Sequence, residues 1–118
     1  MSTSAQTTID SIPTLTSHTF EGNVLLAAGP VAVEFMSHSC ARCRELEPVL
    51  LRATSLLSSR LGLYRVNVAT ERTLADAYAI EETPTFVKFL GGREIGRFLG
   101  SFSEVESLVA NLTRGFDA

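Results

Sequence analysis

Val31-Ala32-Val33-Glu34-Phe35-Met36 is a nearly continuous apolar run, rich in β-branched residues. A half-buried strand would alternate apolar and polar residues. A run without alternation suits a strand buried on both faces. Such a strand needs structure packed above and below it. The next segment offers one layer: Leu46, Val49, Leu50, Ala53, Leu56 and Leu57 recur at spacings of three and four. They predict a helix from about Ala41 to Ser59 with one buried face. Gly62 lies just past its end, where a left-handed cap or tight turn is expected.

The rest of the chain repeats this alternation. Ile12 to Thr16 suits a short edge strand that tolerates Pro13. Ser17 or Thr19 can cap a helix running to about Ala28, which Gly29-Pro30 stops. Leu63 to Val68 reads as a strand and Thr73 to Ala79 as a short helix. Thr85–Leu90 and Glu94–Leu99 read as strands joined by Gly91-Gly92-Arg93, an antiparallel hairpin. Ser103 followed by Glu106 has the spacing of a capping box and opens a last helix to about Leu112. The order is β-α-β-α-β-α-β-β-α. It predicts an α/β fold with a mixed sheet between helices.

Length and composition narrow the function. The 118 residues suffice for one domain, expected over residues 12–118 behind a Ser/Thr/Gln-rich tail at 1–11. A net charge of −3 argues against a nucleic-acid binder, which needs cationic excess to neutralise phosphates. No apolar run approaches the roughly 18 residues of a membrane helix. Met1 to Ile9 carries no Lys or Arg and no apolar core, so no secretory signal is read there and a cytoplasmic protein is expected.

The chemistry is expected at Cys40-Ala41-Arg42-Cys43, which holds the chain's only two cysteines. In a reducing compartment such a pair more often does redox or metal chemistry than structural work. It falls at the start of the long helix, where free backbone N–H groups carry about half a positive charge. A thiolate there is stabilised and its pKa falls below about 8.5. Arg42 adds a positive charge between the sulfurs, and His38 lies two residues before Cys40. Cys40, at the helix end, is the expected nucleophile. Cys43, inside the first turn, is the expected resolving thiol. A zinc clip is the competing reading, but only His18 and His38 could join the pair, short of the usual four ligands. A pair of buried structural thiols is another.

Phe35 to Arg44, with Pro48 five residues after Cys43, resembles the active-site segment of thioredoxins. Thr83-Pro84-Thr85 resembles that family's cis-proline loop. Gly91-Gly92 resembles the turn of its last hairpin, and Gly100 the glycine after its final strand. Leu15-Thr16 followed by Phe20 resembles its first strand and helix. The resemblance spans about residues 12–114 and implies the thioredoxin fold, with a thiol–disulfide oxidoreductase activity on protein disulfides. It implies that Glu34 is a buried acid moving protons to and from Cys43, with Arg65 where the family has its lysine partner; a structural ion pair between Glu34 and Arg65 is the competing reading. It implies that Thr83 and Pro84 receive an extended substrate segment. The partners implied are disulfide-containing proteins and a thioredoxin reductase or another electron donor. No bound cofactor or metal is required, and a monomer is expected. The departures are specific: the motif reads Ser39-Cys40-Ala41-Arg42-Cys43, and the chain has no tryptophan. Arg42 favours the thiolate and thus a more oxidising couple. Loss of the aromatic lid keeps a second reading open, a non-catalytic binding or chaperone module on the same fold.

Overall fold

In the computed structural model, which describes residues 8–57 and 59–116, β2 (Val31–Met36) is the centre of a five-stranded sheet. All six of its residues are buried. β2 pairs in parallel with β3 (Gly62–Asn67), and β3 with β1 (Thr14–Leu15). On its other side β2 pairs antiparallel with β4 (Thr85–Leu90), and β4 with β5 (Arg93–Leu99). The order is β1-β3-β2-β4-β5. Helices α1 (Ala41–Leu57) and α3 (Val105–Thr113) cover one face. Ala32 and Phe86 contribute to that core with Leu46, Leu50, Leu108 and Leu112. The opposite face carries Val33, Phe35, Val66, Val87 and Phe89. Phe20 and Val24 pack against them, with Leu74 and Tyr78 from the region of the short helix α2 (Arg72–Ala77). The two-sided burial of β2 is thus split by the strand's period of two.

Three local expectations differ from the structure. The helix expected from Ser17 or Thr19 to Ala28 is a five-residue π-helical segment, Glu21–Leu25. Leu26 N–H donates to the Glu21 carbonyl at 2.9 Å. Gly22 and Asn23 are weak helix formers, and Thr19 Oγ1 is occupied by the N–H of Thr16 at 2.9 Å. The capping box does not form. α3 begins with Glu104 at the N-cap and no side-chain cap bond, so Ser103 and Glu106 lie out of register. The hairpin loop is two residues, not three, because Arg93 pairs with Leu90. Of the tail expected over residues 1–11, the first seven lie outside the described residues. Ile9–Ser11 form a single 3-10 turn, and Ile9 packs against the α1/α3 core.

The hairpin turn is the sharpest backbone demand in the chain. Gly91 and Gly92 have φ of 61° and 79°, the paired positive values of a tight hairpin turn. A Cβ on Gly92 would also stand 2.4 Å from the Leu25 carbonyl oxygen. Gly92→Ala is expected to cost about 2–4 kcal/mol, from left-handed strain plus a backbone clash. Gly22→Ala, whose Cβ meets nothing within 4 Å, is the control. Urea unfolding of both checks this, and equal midpoints would contradict it.

Candidate active site

Cys40 occupies the residue just before α1, the N-cap position. Its Sγ accepts the backbone N–H of Cys43 at 3.1 Å, the bond a capping serine or aspartate would accept. The helix therefore presents a donor and its positive end to this sulfur. The Cys40 thiol also donates to the Thr83 carbonyl at 3.5 Å, across 43 residues of sequence. Thr83-Pro84 is a cis peptide, and Pro84 is buried. The Pro84 carbonyl accepts the N–H of Gly100 at 2.8 Å. A Cβ on Gly100 would stand 2.6 Å from Phe86 Cε1 and 3.1 Å from Pro84 Cγ. The glycine thus lets the end of β5 close against the proline. Two segments meet at the nucleophile, the start of α1 and the Thr83-Pro84 loop, and Gly100 after β5 backs the proline.

The two sulfurs are electrostatically unlike. Desolvation pushes the Cys40 thiol up, but hydrogen bonds with the Cys43 side chain, Thr83 and the Cys43 N–H, with the Arg42 charge, leave it lowered overall. Cys43 is 1% exposed. Burial first, and then its Cys40 neighbour, push it up to about 12. The first proton therefore leaves Cys40, as its place at the helix end predicts.

The other expected residues take distinct places. Ser39 and Ala41 are exposed at the helix entrance, and Ser39 Oγ bonds Ser37 Oγ at 3.0 Å. Arg42 reaches Glu82 at 3.8 Å, with both side chains more than half exposed. Arg42 also lines a cleft of about 510 Å³ with Leu46, Val49, Gly100 and Phe102. His38 is exposed and its carbonyl accepts from Arg44 at 2.9 Å. Among the described residues no three metal-ligating side chains gather.

Glu34 and Arg65 sit apart from the surface, opposite each other in the β2–β3 register. Arg65 Nε donates to Glu34 Oε1 at 3.0 Å, and both side chains are almost wholly buried. Burial raises the Glu34 pKa to about 7, against the opposing pull of Arg65. Two residues of the site escaped sequence reasoning. Glu47, on α1, lies 3.5 Å from Arg65 Nη2. Its signal was present: it is four residues after Cys43, on the helix side that also carries Leu50. Glu82 had none beyond its place before Thr83.

The sequence matches the Thioredoxin family over residues 4–114. The chain belongs to the thioredoxin family. It is 31% identical over 87 residues to a thioredoxin of Chlamydia caviae, covering 74% of this chain and 83% of that one. To a thioredoxin of Acidithiobacillus ferridurans it is 27% identical over 97 residues, covering 82% and 90%. To the chloroplastic thioredoxin M2 of Arabidopsis thaliana it is 26% identical over 97 residues, covering 82% and 52%. The chain spans about half the length of the chloroplastic relatives it matches. The five-stranded mixed sheet with its flanking helices is the α/β thioredoxin fold. No helix among the described residues is long and apolar enough to cross a membrane.

Proposed function

We propose that this thioredoxin-family protein reduces or exchanges protein disulfides through a Cys40/Cys43 dithiol–disulfide cycle. The observation that carries the reading is the Cys43 N–H on Cys40 Sγ at the helix N-cap, with Thr83 directly opposite. The Cys40 thiolate attacks a substrate disulfide, and one substrate sulfur leaves as thiolate. Cys43, deprotonated with help from Glu34 or water, attacks Cys40 Sγ. The mixed disulfide breaks, the second substrate thiolate leaves, and Cys40–Cys43 is oxidised. A thioredoxin reductase or another dithiol donor returns the two electrons. Thr83 and Pro84 receive the substrate backbone, and the cleft bordered by Arg42, Gly100 and Phe102 receives its side chains. The chemistry needs no bound cofactor. The working unit is a single domain over residues 12–118, acting as a cytoplasmic monomer.

Two measurements test this. With dithiothreitol as donor, the protein is expected to accelerate reduction of insulin disulfides above dithiothreitol alone. No acceleration would favour the binding-module reading. Equilibrium titration against a dithiol buffer is expected to give a potential less reducing than about −270 mV, because stabilising the Cys40 thiolate stabilises the reduced form. In Arg42→Gln the potential is expected to move towards −270 mV, with slower Cys40 alkylation near pH 6. An unchanged potential would remove Arg42 from the argument.

A further inference from the structure

The Arg65 guanidinium is a single buried cation between two carboxylates. Its Nε faces Glu34 Oε1 at 3.0 Å, and its Nη2 faces Glu47 Oε2 at 3.5 Å. Glu34 is 1% exposed, whereas the Glu47 side chain is 30% exposed. Glu34 Oε2 is buried with no hydrogen-bond partner among the described residues. One cation balances one carboxylate, so the cluster is neutral when one of the two acids holds a proton. The buried acid takes it, because ionising it costs most. The partnerless Oε2 is the atom that can carry that proton, since Oε1 is committed to Arg65.

Among the described residues no second cation pairs with Glu34. From β4, Phe86 stands opposite Glu34, and Lys88 bonds the carbonyls of Asn111 and Arg114 at 2.8 and 2.7 Å. From α3, Leu108 and Leu112 are apolar, and α1 carries Glu47 and the buried Cys43. An arginine can serve two carboxylates at once through separate N–H groups, which a lysine's point charge does less well.

We propose that Glu47 is a positioning residue: by engaging one arm of the Arg65 guanidinium from α1, it divides one buried cation between two carboxylates and so keeps Glu34 basic enough to exchange a proton with Cys43. The inference rests on the dithiol cycle for its functional meaning. Without Glu47, Arg65 serves Glu34 alone, the Glu34 carboxylate is better stabilised, and Glu34 becomes a weaker base for Cys43. The balance of charge about Glu34 agrees: Arg65 lowers its pKa and Glu47 raises it.

The test is the titration of the Glu34 carboxyl, followed by 13C NMR in the reduced full chain. In Glu47→Gln the Glu34 midpoint is expected to fall by about half a unit to one unit. In Glu45→Gln, which removes the same charge from the same helix but not from Arg65, it is expected to stay. In the reduction assay the acid limb of the Glu47→Gln pH profile moves down by the same amount. An unmoved midpoint in Glu47→Gln, or equal shifts in both variants, overturns the proposal. If the protein reduced no disulfide at any pH, the oxidoreductase reading would fall, while the Glu34 titration would still decide what Glu47 does.

Discussion

Reduced Cys43→Ser protein mixed with a disulfide substrate is expected to stop at a covalent complex, while Cys40→Ser is expected to form none. The difference follows from burial and hydrogen bonding. Cys40 carries the lowered pKa and faces the Thr83 loop, so it alone offers a thiolate to an incoming disulfide. Cys43 is buried beneath it, with its pKa pushed up to about 12, and reaches only the sulfur already on Cys40. Removing Cys43 leaves attack intact and removes release. Removing Cys40 leaves a thiol that is neither ionised nor accessible, so turnover is expected to fall by about 10³-fold or more. Non-reducing electrophoresis and mass spectrometry detect the trapped complex, and dithiothreitol should dissolve it. A complex formed equally by Cys40→Ser would reverse the two roles. Insulin reduction persisting in Cys40→Ser would refute the dithiol cycle itself.

Much of this site was legible because its parts are local. Cys40, Arg42 and Cys43 fall within one helical turn, and a helix start determines which sulfur faces outward. Glu34 was legible as an anomaly, a carboxylate in a strand that is otherwise apolar. Thr83 and Gly100 were different. Thr83 reaches the nucleophile across 43 residues and Gly100 backs Pro84, and no periodicity encodes those pairings. Only the family resemblance pointed to them. The failures have physical causes too. Between Thr19 and Leu26 the helical tendency is weak, and the winding follows the packing of Phe20 and Val24 against the sheet. At α3 a one-residue shift of the start was enough to void the reciprocal cap. Glu47 was read past because a partly exposed glutamate on a helix is ordinary. Its meaning depends on where the Arg65 guanidinium lies.

Arg65→Met is expected to leave stability near that of wild type at pH 5 and to lower it by up to about 2 kcal/mol at pH 8.5. The sign follows from the two states of Glu34. Its folded pKa of about 7 lies above the ordinary value of 4.5, so between these values the folded state binds more protons than the unfolded one. Stability of the wild type therefore declines as pH rises from about 4.5 to 7 and levels off above. In Arg65→Met the cation paired with Glu34 is gone, so its folded pKa rises further and the decline continues past pH 7. At pH 5 Glu34 is protonated in both folded proteins, and removing a buried guanidinium costs little once its partner is neutral. At pH 8.5 the wild type holds an ion pair, whereas the variant must either bury a bare carboxylate or keep a proton against the solvent. Urea unfolding at both pH values measures the divergence. Adding Glu34→Gln to Arg65→Met is expected to flatten it, because the amide has no proton to lose. An Arg65→Met deficit that was the same at pH 5 and pH 8.5 would mean that Arg65 acts through packing alone, and the charge argument for the Glu34 site would have to be abandoned.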